Sequence, residues 1–501
     1  VSREVIGARP RCFGGPVSRG LATLVALAVG GLAVGERLAE PFGPLASGWR
    51  VLLAEQALLW TLAAGALWAP RSAVVALDEA FAELAQRRPL LVAAVGVGLP
   101  LVWVLLTTPQ ITYGAGPAGV GYGHDGRFYG AMAERLGDPA LRIDPPFHQR
   151  PLAPALVWAS GLPTFVGFRA LAMLGAVGTA WGTFRIARAL DAERPVALIL
   201  MLLVMGAEQG VKSWWHAPVS ADPLGTALGL AAVDAVLRGR PGVFAVALGA
   251  GLLCRENLVL LVPFQLVLLI RRRRALRPHT VPVHLLATAV ALAPAVALRL
   301  APPLVPPSRP ADLWFTLRVW SERILFVPGR QQMLVYAYGN ALGVLVLGVA
   351  GRLREAIGFL GHRAPEWGLL LVGLGLAGPL FGADYDRFAF WTLPVWVAVW
   401  AGTGLGRGRL GRGALVLVGL QLAAGELPIP WATDEIFSLG RNAAHPVAGS
   451  FAPLTLSVWG YALAVAAVWR GGDPEAAGPP GDDPTTDSRH RMAVADRSAD
   501  G

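Results

Sequence analysis

Four groups of ionisable residues interrupt a chain that otherwise reads as apolar helix. The first is the stretch GYGHDGRFYGAMAERLGDPALRIDPPFHQRP over 121–151, which carries Asp125, Glu134, Asp138 and Asp144 together with Arg127, Arg135, Arg142 and Arg150. Asp125 is the member with a reactive reading. A carboxylate held beside an apolar region can serve as general base or ligate a metal. Asp is also a preferred helix N-cap, and a carboxylate saturated by backbone donors is a weaker base. Sequence leaves both roles open. His124 is either a second polar contact or an incidental neighbour.

Arg150-Pro151 opens the next apolar segment. Pro suits the first turn of a helix, while a guanidinium fork suits phosphate oxygens. The third group is Arg255-Glu256 in GLLCRENLVLLVPF, an internal ion pair at a helix break or a cation and carboxylate facing a cavity. Asp222, in WWHAPVSADPLG, starts a neighbouring helix and reads first as a cap; Lys212, Trp214, Trp215 and His216 precede it in a short loop. The fourth group is GADYDRFAFW, where Asp384, Asp386 and Arg387 fill a turn between two apolar runs. Ionisable residues at a bilayer's edge are costly and therefore functional candidates.

The elements that must position these groups are set by composition. Of 501 residues 54% are hydrophobic and 15% charged, against roughly 25% charged in soluble domains, and the mean hydropathy is +0.52. About fourteen apolar runs, from 20–35 to 452–469, predict an all-α polytopic integral membrane protein with about 12–14 transmembrane helices. The net charge of +10 falls in short Arg clusters between runs, which argues for membrane topology and against a nucleic-acid partner. Cys12 and Cys254 form no disulfide framework or zinc spacing. No Walker motif or Rossmann glycine pattern is present, so ATP-driven and nicotinamide chemistry have no support.

Arginine placement sets the orientation. With a cytoplasmic N-terminus, alternate loops hold Arg87-Arg88, Arg185/Arg188/Arg194, Arg238/Arg240, Arg271–Arg274, Arg352/Arg354 and Arg407/Arg409/Arg412. Both termini are then cytoplasmic, provided that 241–270 is a hairpin with Cys254-Arg255-Glu256 at its tip. The first run, after Arg9, Arg11 and Arg19, is read as a retained helix and not a signal peptide. Residues 1–88 comprise N-terminal helices and an amphipathic cytoplasmic segment at 71–88. A core over 89–405 includes the outer loop 108–150, where Phe128, Tyr129, Met132 and Leu136 predict a surface helix beginning at Asp125. Further outer loops fall at 301–331 and 426–451, C-terminal helices occupy 406–470, and a disordered cytoplasmic tail fills 471–501.

The order of these motifs resembles the GT-C superfamily of polytopic glycosyltransferases, in particular a bacterial branch with a YDGQFYY-type motif in its first large outer loop. The matching pieces are GHDGRFYG (123–130), QRPLAPAL (149–156), VSADPLGTALGLAAVDAVL with LLCRENLVLLVPF, and DYDRFAFWTLP, within roughly 89–400. His124 and Arg127 stand where the family pattern has Tyr and Gln, and the motif loop follows the third apolar run instead of the first.

The resemblance implies a GT-C-like fold in a bacterial plasma membrane, with a helical motif loop and an extracytoplasmic active site. It implies transfer of a sugar from a polyprenyl-phosphate donor to a hydroxyl of a glycan, lipid or protein acceptor, with Asp125 as base. Arg150, Arg255 and Arg387 would neutralise the lipid phosphate. His124, Arg127, Tyr129, Asp222, Glu256 and Asp386 would complete the substrate contacts. A divalent cation, Mg or Mn, is optional, since phosphate already leaves well. The alternative of a different class is a transporter or flippase for a lipid-linked or anionic substrate, which predicts charged residues near the bilayer midplane and two related halves. A non-catalytic scaffold fits the charged loop less well.

Overall fold

The computed structural model describes residues 57–107, 121–123, 125–207, 210–272, 280–300, 305–307, 338–339, 341–350, 353–381, 385–403, 414–425, 460 and 462–466. The expected first apolar run, the loops 301–331 and 426–451 in the main, the tail 471–501, and residues Cys12, His124 and Asp384 lie outside them. So does most of 452–469. The chain is all-α among the described residues, with an isolated bridge joining Ile143 to Pro307.

Helix α1 covers Ala57–Trp68. Helix α2, Arg71–Arg87, forms where the 71–88 pattern predicts a helix; it buries Val74, Asp78 and Ala85 on one stripe, while Leu77 and Leu84 stand exposed. Apolar α3 (Pro89–Thr107) follows, with Leu90, Leu99 and Leu106 uncovered. The charged stretch then folds as α4 (Gly126–Arg135), and α5 (Leu152–Ser160) and α6 (Thr164–Ala189) continue from it. Next come α7 (Arg194–Met205), the short α8 (Val211–His216), α9 (Asp222–Leu237) and α10 (Pro241–Leu252). A 3-10 turn at Glu256–Leu260 leads into α11 (Leu261–Arg272), followed by α12 (Thr280–Leu300). The remaining described helices include α13 (Val344–Ala350), α14 (Leu353–Gly358), α15 (Pro365–Phe381), α16 (Tyr385–Trp391), α17 (Leu393–Gly402) and α18 (Ala414–Gly425).

Three of these helices are long and apolar enough to cross a membrane, within Pro89–Leu106, Thr164–Ala189 and Thr280–Leu300. Several other apolar runs give shorter helices because the chain breaks inside them. The run at 388–405 is one case: it is divided at Thr392, just before Leu393-Pro394 restarts the helix.

At the centre, α6 packs along α9 and α7, while α9 packs on α10 and α10 on α12. Glycines set the α6–α9 approach. A Cβ on Gly175 would lie 2.5 Å from the Pro223 backbone; one on Gly178 would lie 2.8 Å from Ala227, and one on Gly182 2.7 Å from Leu230. The contacts advance together in both helices, so α6 and α9 run parallel, and small residues permit the close contact. At their far end Asp234 receives Arg185 at 2.8 Å and Arg238 at 2.7 Å.

The charged stretch has a smaller core of its own. Tyr122, Tyr129, Met132, Leu141 and Ile143 bury there with Phe168, Val219 and Cys254. A Cβ on Gly130 would meet the Tyr122 ring at 2.4 Å, so this glycine seats the ring against α4. The Tyr122 hydroxyl then donates to Glu134 Oε1 at 2.6 Å.

Candidate functional site

Asp125 opens α4 in αR geometry, and its carboxylate makes no capping bond. Its Oδ2 instead accepts from Arg387 Nη2 at 2.7 Å. The geometry therefore departs from the cap reading: the carboxylate is turned from its own helix towards a cation far along the chain. Asp222 likewise makes no side-chain cap. It occupies the first turn of α9 behind Ala221, and its Oδ2 accepts from Ser220 Oγ at 2.9 Å, from Arg387 Nη1 at 3.1 Å and from Arg255 Nη2.

Local structure explains how Arg387 reaches both acids. Arg387 and Trp391 stand four residues apart on α16, hence on one face. Gly225 and Gly229, one turn apart on α9, leave room for the Trp391 indole; Cβ atoms there would meet it at 3.1 and 3.8 Å. Seating Trp391 beside those glycines brings Arg387 over the start of α9, where Asp222 lies. Phe390 makes an edge contact with Trp214 of α8, centroids 5.6 Å apart, and holds α16 from another side.

Arg255 and Glu256 are sequence neighbours but not partners. Extended backbone at Arg255 (φ −150, ψ 120) sends adjacent side chains to opposite sides. Arg255 pairs with Asp222, and Glu256 accepts from Arg150 Nε at 2.8 Å and from Arg150 Nη2. The internal-pair reading of Arg255-Glu256 is thus replaced by two longer-range pairs. The register comes from the backbone, since Leu152 N–H donates to the Leu253 carbonyl at 3.2 Å.

Arg150 is buried, and Pro151 stands at the cap position of α5. Its third nitrogen, Nη1, donates to the Tyr129 hydroxyl at 3.1 Å, and its guanidinium lies 5.4 Å from the Phe147 ring centre. Every nitrogen of Arg150 has a partner, which makes it a brace between α4 and the Glu256 turn. Arg127 is not brought into this group; it is exposed and lies over the Phe128 ring at 4.6 Å. Asp386 is on α16, with only its backbone described.

Three guanidiniums (Arg150, Arg255, Arg387) thus meet three carboxylates (Asp125, Asp222, Glu256). Burying any one of them alone would cost several kcal/mol, roughly, so the alternation of sign is what permits the burial. Burial opposes the charged form of Asp125, but Arg387, then Arg255 and Arg150, outweigh it and hold the carboxyl below its usual range. Glu256 is the most exposed side chain of the set at 38%, followed by Arg387 at 27% and Asp125 at 22%, against 5% for Asp222 and 9% for Arg255.

The set is also recessed. Asp222 begins α9 beside Gly175, eleven residues beyond Thr164, hence about 16 Å along α6. Among the described residues no group of three or more His, Cys, Asp or Glu side chains forms a metal-ligand set. Asp125 and Asp222 share a guanidinium instead.

Searches of protein-family models, curated proteins and solved structures all returned no match. The geometry alone carries the functional argument. One member that sequence reasoning missed is Ser220, whose signal was a hydroxyl two residues before an acid at a helix start.

Proposed function

We propose that the chain is a polytopic membrane glycosyltransferase, of the GT-C kind, with about 12–14 crossings. It transfers a sugar from a polyprenyl phosphate to an acceptor hydroxyl on the extracytoplasmic face of a bacterial plasma membrane, both termini being cytoplasmic. The observation that carries this reading is the Asp125–Arg387–Asp222–Arg255 chain of ion pairs: a candidate base and two candidate phosphate-binding cations converge from segments far apart in sequence. The three long apolar helices and the uncovered leucines of α3 support the membrane setting.

In this mechanism Asp125 takes the proton of the acceptor hydroxyl as its oxygen attacks the anomeric carbon. The bond from that carbon to the phosphate oxygen breaks, and its electron pair leaves with the lipid phosphate. Arg387 and Arg255 neutralise the departing charge, where exclusion of water strengthens each interaction. The resting pairs imply an exchange. A donor phosphate competes for Arg387, and the guanidinium moves from Asp125 to the phosphate, freeing the carboxylate to act as base. Arg150 and Glu256 hold α4 in place throughout. A divalent ion is not required by this scheme, since cations already face the phosphate.

The recessed position favours a second reading, a transporter or flippase for a lipid-linked or anionic substrate, because charge buried midway along a long helix suits a translocation path. Purified protein in lipid, given polyprenyl-phosphate sugars and tested with Asp125→Asn and Arg255→Ala, separates the two. Transfer that both substitutions abolish supports the enzyme. Full transfer by Asp125→Asn removes the base, and translocation without transfer favours the transporter.

A further inference from the structure

We propose that the Asp222–Arg255 pair recognises a hydroxyl of the transferred sugar, which donates to Asp222 Oδ1 and accepts from Arg255 Nε. The proposal rests on the glycosyl-transfer reading and adds to it a hydroxyl-specific subsite beneath the phosphate-binding end.

The argument begins with an asymmetry within one carboxylate. Asp222 Oδ2 takes three donors, from Ser220, Arg387 and Arg255. Its sibling Oδ1 is buried and meets no hydrogen-bond partner among the described residues. Arg255, which holds the other side of this pair, shows the same feature at Nε. Both residues are more than nine-tenths buried, at 3% and 8% exposure. A buried polar atom without a partner is expensive, and more so on a charged group. Here an acceptor and a donor are left over on two side chains that already pair through Oδ2 and Nη2.

The chemistry of a ligand group that would serve both follows from the two atoms. A phosphate oxygen suits Arg255 but is repelled by the Asp222 carboxylate. An ammonium suits Asp222 but not Arg255. A hydroxyl both donates and accepts. The pair is also held rigidly: Ser220 fixes Asp222, and a Cβ on Gly225 would stand only 3.2 Å from Arg255 Cγ, so the glycine makes room for the guanidinium. A rigid site built to hydrogen-bond a hydroxyl discriminates strongly against an analogue lacking it.

Binding to the full chain in lipid nanodiscs tests this without reliance on turnover. The probes are undecaprenyl phosphate, its glucose, galactose, mannose and arabinose derivatives, and the singly deoxygenated forms of whichever sugar binds best. One deoxy position is expected to weaken wild-type binding by roughly tenfold or more. The same deoxygenation should cost Asp222→Asn little, whereas Ser220→Ala, which leaves Oδ1 in place, should retain the discrimination. If no single deoxygenation weakens wild-type binding, the inference is overturned whether or not Asp222→Asn folds, and water alone serves these atoms. Equal discrimination in wild type and Asp222→Asn also overturns it. Binding of undecaprenyl phosphate with no gain from any sugar overturns this inference alone, whereas failure of every probe to bind overturns the parent reading as well.

Discussion

Arg387 Nη2 donates to Asp125 Oδ2 at 2.7 Å across 262 residues of chain. The contact joins the surface-loop helix to a short helix near the end of the described core, and the same guanidinium bonds Asp222 at 3.1 Å. A fork with two terminal nitrogens can bridge two carboxylates, which a lysine ammonium on a flexible stem cannot hold in fixed geometry. Arg387→Lys is therefore expected to behave as a loss of function in spite of its conserved charge. Transfer assays on Arg387→Lys and Arg387→Ala should give similar deficits; near-normal activity of the lysine variant would reduce Arg387 to a source of charge.

Asp125→Asn keeps the shape of the side chain and removes its basicity. General-base catalysis contributes about 10²–10⁴-fold, so transfer should fall by that order while donor binding persists. Comparing single-turnover transfer with equilibrium donor binding checks this. A fall in binding with no fall in the rate of the bound complex would make Asp125 a positioning group.

The pH dependence follows from the opposed influences on Asp125. Burial works against its ionisation, and the guanidiniums, led by Arg387, overcome burial, so the folded value lies below the usual carboxylate range. The sign is that of a depressed acid. Its contribution to stability is complete above the unfolded value, near pH 4, and is lost as pH falls through the lower folded value. The acid limb of kcat/KM for the free enzyme should accordingly lie below the usual carboxylate range. In Arg387→Gln burial loses its main opponent, and the limb should move to higher pH. An unmoved limb in that variant would assign it to another group.

Arg255→Ala leaves Asp222 buried with one fewer cation, and loss of one partner from a buried pair costs about 3–5 kcal/mol. Reversible unfolding in detergent should register a large fall in stability. The effect on Arg127→Ala should be near zero, because Arg127 is exposed and lies on a ring instead of an acid.

Two glycines separate packing from charge. A Cβ at Gly175 would meet the Pro223 carbonyl oxygen at 2.7 Å, a contact with backbone that cannot swing aside. Gly175→Ala should cost about 1–3 kcal/mol as overpacking, seen as a lowered unfolding temperature. Gly225→Val should displace Trp391 and lift Arg387 from Asp222, lowering transfer with every charged residue still present. Normal transfer by Gly225→Val would show that the Trp391 seat does not position Arg387.

Much of the helical layout was legible from apolar periodicity. The helix over 71–87, the α4 helix after Asp125 and the break at Cys254–Glu256 all follow from local spacing and appear as expected. Local spacing also predicted too much continuity, since the run at 388–405 is two helices. The site was legible as residue types only. Asp125, Arg150, Asp222, Arg255, Glu256 and Arg387 were each singled out for being charged in apolar surroundings, and all six belong to one set. Their partners could not be read in this way: adjacency suggested Arg255 with Glu256, and the two capping readings suggested backbone partners for Asp125 and Asp222.

What the sequence determined by itself was the inventory. Apolar runs bury themselves as helices, and charges placed among them must be neutralised, because an unpaired buried charge is too costly to retain. What only the tertiary structure decided was which charge neutralises which. That choice depends on the parallel α6–α9 contact through small glycines, on the slot for Trp391, and on the extended backbone that sends Arg255 and Glu256 to opposite sides. The first two are relations between segments well separated in sequence, and no local pattern encodes the angle at which two helices meet.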